Sequence, residues 1–108
     1  MATAMHRKLD WSIHVNDNTL SINLYGVFDL DSYYDFHELM VSINRGCIID
    51  VCLVDMSGVI NISGAGAIFL LTLKRELSVP VLKIVNATSD IRTTLSRIDR
   101  NQSNFIMC

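Results

Sequence analysis

The stretch Ser57-Gly58-Val59-Ile60-Asn61-Ile62-Ser63-Gly64-Ala65-Gly66-Ala67-Ile68-Phe69-Leu70-Leu71 sets a single hydroxyl and two closely spaced glycines directly ahead of a long apolar run. Ala65, Ile68, Phe69, Thr72 and Leu73 fall on one helical stripe, and Leu70, Leu71 and Leu77 broaden it. The spacing predicts a helix from Ser63 or Gly64 to about Leu77. Lys74 and Arg75 fall in its last turns, where cations complement the helix dipole. Ser63 then stands at the N-cap, its oxygen accepting a hydrogen bond from a free backbone N–H of the first turn. Gly64 and Gly66 allow the helix start to pack closely against a sheet.

Upstream, Val51-Cys52-Leu53-Val54 is apolar on both alternating faces. That pattern suits a central strand covered on both sides, or covered on one side and packed tightly at the other, and Asp55 ends it. Trp11, Ile13 and Val15 alternate with polar residues, Asn16-Asp17-Asn18 supplies turn chemistry, and Leu20, Ile22 and Leu24 alternate again. This predicts an antiparallel hairpin with one buried face. After Gly26-Val27-Phe28-Asp29 the period changes: Phe36, Leu39, Met40 and Ile43 follow helical spacing, with Ser32 and Asp35 as a capping pair and Arg45-Gly46 as the stop.

Downstream, Val79-Pro80-Val81-Leu82-Lys83-Ile84-Val85 reads as a strand with its proline near the start, closed by Asn86. Thr88 or Ser89 caps a third helix carrying Ile91, Leu95 and Ile98, and Asn104-Phe105-Ile106-Met107 is a short last strand. The order is β-β-α-β-α-β-α-β. Strands joined through single helices imply parallel neighbours, and the first hairpin makes the sheet mixed. The expected fold class is α/β, a single domain with a mostly parallel sheet of about five strands and three helices.

With 108 residues, half of them hydrophobic and only 19% charged, the chain has the size and composition of one globular core. A formal charge of -2 without a Lys/Arg cluster excludes nucleic acid as the main ligand, because phosphate-backbone binding needs concentrated positive charge. No apolar run approaches the roughly 20 residues that span a bilayer. The N-terminus lacks the apolar centre of a signal peptide, so the expected location is cytoplasmic. Residues 1–8 read as a flexible tail. Cys47, Cys52 and Cys108 lack metal-ligand spacing and read as reduced thiols, Cys52 within an apolar strand.

A nucleophilic role for Ser63 requires a base within hydrogen-bond reach. His6, His14 and His37 fall in the tail, on the first strand and on the first helix, and Asn61 stands where a nucleophile elbow needs glycine. Gly64-Ala65-Gly66 opens like a dinucleotide fingerprint, but Phe69 occupies the third glycine's place. No enzymatic activity, cofactor or metal is expected. Asp29 and Asp55 both follow apolar strand segments, which places them with Ser63 at the strand-end edge where α/β sheets carry their sites, or makes them turn and cap residues.

The series Gly26-Val27-Phe28-Asp29, Val51-Cys52-Leu53-Val54-Asp55-Met56-Ser57-Gly58-Val59 and Asn61-Ile62-Ser63-Gly64-Ala65-Gly66 resembles the STAS domain of bacterial anti-sigma factor antagonists, over nearly the whole chain. Val85-Asn86-Ala87-Thr88 resembles that family's exit before its third helix. The family's motif reads Asp-Ser-Ser-Gly, and its second serine accepts a phosphate from a partner kinase. The resemblance gives Ser63 that role, with Asn61 and Ile62 in the first two places. It implies a partner-binding surface of Asp29, Asn61, Ser63, Gly64, Ala65 and Gly66, an anti-sigma factor or Ser/Thr kinase as partner, and a PP2C-type phosphatase that restores the free hydroxyl. A constitutive adaptor or scaffold subunit of a transporter or signalling assembly is the alternative use. The exposed last strand offers an edge for pairing with a second copy as a homodimer.

Overall fold

The computed structural model describes residues 8–43 and 48–108. The expected stop at Arg45-Gly46, Cys47, His6 and most of the expected tail lie outside them. The elements are β1 (Leu9–Asn16), β2 (Thr19–Phe28), a 3-10 turn (Leu30–Ser32), α1 (Tyr33–Ser42), β3 (Val51–Ile62), α2 (Gly64–Leu77), β4 (Leu82–Val85), α3 (Ser89–Ile98) and β5 (Phe105–Met107). The five strands lie side by side in chain order, with β1 antiparallel to β2 and every later pair parallel. The expected order and mixed sheet are found.

Each helical crossover moves one strand further in the same direction. Right-handed crossovers that all step the same way put their helices on one face of the sheet. That face holds the core: Leu20, Ile22 and Leu24 of β2, Cys52, Val54 and Met56 of β3, and Leu82 and Ile84 of β4 are buried beneath Phe36, Leu39, Leu70, Leu73, Ile91 and Leu95. The residues between them on β3, Val51 and Leu53, are half-buried. The strand is therefore covered on one side only.

β3 is far longer than Val51–Val54. It continues through Asp55 to Ile62, and its register with β2 slips twice, between Asn23/Tyr25 and between Gly26/Val27. At each slip β3 contributes one residue more than β2, which is a β-bulge and bends the longer strand. Gly58 meets a local demand here, since a Cβ would overlap the ring of Tyr25. Beyond the second slip, Ile62 points into the core while Ile60 and Asn61 face solvent.

The buried stripe of α2 is Gly66, Ala67, Leu70 and Leu73, one position round from the stripe that spacing alone suggests. Phe69 is half-buried and Ile68 is 51% exposed. The capping expected of Ser32 and Asp35 is also replaced. Asp29 caps the 3-10 turn in a reciprocal box: Asp29 Oδ1 accepts from Asp31 N at 3.0 Å, and Ser32 Oγ accepts from Asp29 N at 3.1 Å while donating to Val27 O at 2.6 Å. The Asp35 carboxylate instead accepts from the backbone N–H groups of Lys8 and Leu9, at 3.0 and 3.1 Å.

Candidate functional site

β2 and β3 end together, with Phe28 beside Ile62, and the two chain exits that follow build the site. Ser63 donates its backbone N–H to the carbonyl of Phe28 at 2.9 Å. Its backbone is extended, and its Oγ accepts from Gly66 N at 3.3 Å while its carbonyl accepts from Ala67 N at 3.0 Å. Ser63 is thus an N-cap in geometry as well as in spacing. Gly66 is buried against the same Phe28 carbonyl, which a Cβ there would overlap. One backbone oxygen fixes both ends of the Ser63–Gly66 turn.

Placement then divides the expected residues. Asn61 and Gly64 are exposed, and Ser63 and Ala65 are half-buried. Gly66 is buried, and its close approach to Phe28 serves the fold. Ile62, where the family motif has its first serine, is in the core at 4% exposure. No histidine or other base among the described residues hydrogen-bonds the Ser63 hydroxyl; His37 stacks on Tyr33 with ring centroids 6.0 Å apart.

Asp29 is brought to Ser63, and Asp55 is not. Asp29 directly follows the carbonyl that holds Ser63, whereas Asp55 pairs with Val85 inside β3, seven residues and roughly 20 Å of strand back from Ile62. Asp55 forms a cluster of its own, accepting from Ser57 N at 2.9 Å and from the Asn86 side-chain amide at 3.3 Å. Burial pushes its carboxyl up, and these hydrogen bonds outweigh that and hold it below the usual range.

Around Asp29 the charges are concentrated. Lys8 Nζ lies 2.8 Å from Asp29 Oδ2 and 3.4 Å from Asp31 Oδ2. The hydrogen bond from Lys8 holds the Asp29 carboxyl below its ordinary value, and Asp29 in turn raises the Lys8 ammonium. Lys8, expected in a flexible tail, is held here through its side chain, its N–H and its carbonyl, which accepts from Val27 N at 2.9 Å.

Apolar side chains open to solvent lie on the same elements: Leu30, Tyr33, Tyr34, Ile60 and Ile68. Tyr33 packs on Phe69 at 5.7 Å, Phe69 stacks on Phe36 at 5.8 Å, and Phe36 packs on Phe28 at 5.3 Å. A continuous aromatic series thus runs from the buried Phe28 at the end of β2 to the exposed Tyr33 of α1. Sequence reasoning missed this rim. The available signal was apolar residues out of phase with the core stripe, Tyr33 and Tyr34 ahead of Phe36, and Ile60 beside Asn61. Scattered apolar residues are ordinary on a surface, and this group is distinguished by lying on the elements that meet at the end of β2 and β3.

Among the described residues no helix is long and apolar enough to cross a membrane. No protein-family model and no curated protein matches the chain by sequence. Solved structures do match it in shape. The anti-sigma factor antagonist SpoIIAA in its unphosphorylated form superposes with a TM-score of 0.66 at 14% identity, over 92% of this chain and 88% of its own. SpoIIAA of Bacillus in the phosphorylated form gives 0.62 at 15% identity, over 92% and 91%. A Ser-to-Glu variant of RsbS from Moorella thermoacetica gives 0.64 at 16% identity, over 91% and 86%. The chain thus adopts the STAS fold of the anti-sigma factor antagonists.

Proposed function

We propose that this protein is a cytoplasmic partner-switch regulator, controlled by phosphorylation of Ser63 and itself without enzymatic activity. Its unmodified form binds an anti-sigma factor or related Ser/Thr kinase. The kinase transfers the terminal phosphoryl group of its nucleoside triphosphate to Ser63 Oγ, whose proton leaves to a base of the kinase, and the nucleoside diphosphate departs. A PP2C-type phosphatase hydrolyses the ester and restores the hydroxyl. The observation that carries this reading is the half-buried Ser63 at the start of α2, on elements that also carry exposed apolar side chains. SpoIIAA, similar in fold, has been solved both unphosphorylated and phosphorylated.

The physical logic is asymmetric. A phosphate at a helix N-terminus sits beside free N–H groups and the positive end of the dipole, so the domain tolerates it. A partner packed against a neutral hydroxyl inside an apolar rim meets about -1.5 to -2 charges that it must desolvate. Binding is lost while the fold is kept.

Capture from native lysate with Ser63→Ala and Ser63→Asp baits, alongside melting temperatures, tests the switch. The expected outcome is a partner kept by Ser63→Ala and lost by Ser63→Asp, with both variants folded. Equal capture by the two overturns it.

Asn61 favours a second reading, since the motif's acidic position carries an exposed neutral amide. In that reading the domain is a constitutive adaptor or scaffold subunit and Ser63 is only a cap. Intact-mass measurement on protein from its own cells separates the two. A phosphate-sized increment supports the switch, and its persistent absence supports the adaptor.

A further inference from the structure

Lys8 is the residue whose placement the function has not absorbed. Its N–H donates to Asp35, its carbonyl accepts from Val27 N, and its ammonium pairs with Asp29 and Asp31. Gly26, with φ of 104°, leaves room for the Lys8 carbonyl where a Cβ would overlap it. The backbone of Lys8 is therefore fixed beside the site, and its four-carbon stem remains free to redirect the charge.

Few charged groups stand on the elements that meet at the start of α2. The 3-10 turn gives Asp29 and Asp31, and α1 gives Asp35. The first turn of α2 carries no acidic residue, and Asn61 of β3 is neutral. From α3, Ile98 lies over Gly64; of its neighbours, Arg97 is exposed and Asp99 is turned onto the backbone N–H groups of residues 103–105. Three carboxylates thus surround one lysine. Asp29 and Ser63 flank the single hydrogen bond between Phe28 O and Ser63 N.

We infer that Lys8 is the counter-cation of a phosphate on Ser63: it leaves Asp29 for the phosphate dianion, and Asp29 is thereby exposed as an unpaired carboxylate on the docking surface. The modification then changes that surface at two points, adding charge at Ser63 and unmasking charge at Asp29. A phosphate dianion attracts the ammonium more strongly than either of the single carboxylates that hold it, Asp29 or Asp31. The inference rests on the reading of Ser63 as phosphoacceptor and assigns that site its charge partner.

The test installs phosphoserine at position 63 during translation and follows the second ionisation of the phosphate by phosphorus NMR. A phosphoserine titrates ordinarily at about 6. In the presence of Lys8 it titrates about half a unit below its value in the Lys8→Met variant, about threefold in proton affinity, because the ammonium favours the dianion. Lys8→Arg restores the lower value, and Arg97→Gln leaves it in place. Titrations that agree within about a tenth of a unit with and without Lys8 overturn the inference. So does a shift produced by Arg97→Gln and not by Lys8→Met. Because no kinase is involved, absence of phosphate on protein from its own cells defeats the reading of Ser63 alone, and a flat titration defeats the role of Lys8 alone.

Discussion

The carbonyl oxygen of Phe28 receives the backbone N–H of Ser63 at 2.9 Å and lies against the Cα of Gly66, so one atom of β2 fixes the first turn of α2 from both ends. A methyl group at Gly66 overlaps that oxygen and stands 2.9 Å from Ile62 Cγ1, and neither backbone nor buried side chain has space to yield. Gly66→Ala is expected to cost about 2 kcal/mol, the order of an overpacked core. At Gly64, the nearest atom to an added methyl is Ile98 Cδ1 at 3.9 Å. Gly64→Ala is therefore neutral or stabilising by up to about 1 kcal/mol through helix propensity. Urea denaturation of the pair checks the contrast, and equal effects would show that the close approach does not matter.

Ser63 carries a stability role separable from the proposed switch. Ser63→Ala removes the acceptor for Gly66 N and is expected to cost about 1 kcal/mol. Ser63→Asp keeps an N-cap acceptor at the positive end of the helix and should stay within about 0.5 kcal/mol of the parent protein. Melting curves recorded with the binding assays decide this. An aspartate variant markedly less stable than the alanine variant contradicts the cap geometry.

Asp99 provides an acid-sensitive lock at the start of β5. It is 4% exposed, and its carboxylate accepts from Phe105 N at 2.9 Å, Asn104 N at 3.0 Å and the Asn104 amide at 3.0 Å. Burial pushes its carboxyl up, and these donors outweigh that and lower it from 3.8. A group whose folded value is lowered stabilises fully above its ordinary pKa, and the contribution is lost as pH falls through the folded value. Asp99→Asn is expected to cost about 2 kcal/mol at pH 7 and to flatten the loss of stability below pH of about 4. Denaturant midpoints from pH 7 to 3 on both proteins measure it; parallel curves would refute the lock.

The thiols should separate by reactivity. Cys52 is fully buried and its burial pushes the thiol up to about 12, while Cys108 is exposed. Only a thiolate attacks an alkylating reagent at a useful rate. Peptide mapping after brief maleimide treatment is expected to find Cys108 labelled and Cys52 unlabelled until denaturant is added. Early labelling of Cys52 would mean that the sheet opens locally.

Periodicity carries most of the architecture, because the hairpin, the three helices and the order of elements each rest on residues a few positions apart. The end of β3 is not legible for the same reason. Its two bulges leave Met56, Val59 and Ile62 buried at every third residue, a spacing that suits neither strand nor helix, and Ser57-Gly58 reads as a turn. Spacing consequently puts Asp55 at a strand end that lies seven residues further on. The Asp29-Leu30-Asp31-Ser32 box is legible, one turn before the Ser32 and Asp35 pair. Lys8 is not, since its acidic partners Asp29, Asp31 and Asp35 stand 21, 23 and 27 residues away, beyond the reach of local rules.

Gly26, Gly58 and Gly66 have a bearing on how this protein can diverge. At each, a neighbouring main-chain atom already occupies the place of a side chain: Lys8 O, Leu24 O and Phe28 O. Mutational drift at these three positions is closed by sterics, whatever the surface of the protein does. Leu30, Tyr34, Ile60 and Asn61 hang outward from the same frame, three of them more than two-thirds exposed, and can be exchanged without moving it. A lineage can therefore rewrite those four letters, and with them the outer surface at this end of the sheet, without disturbing the fold.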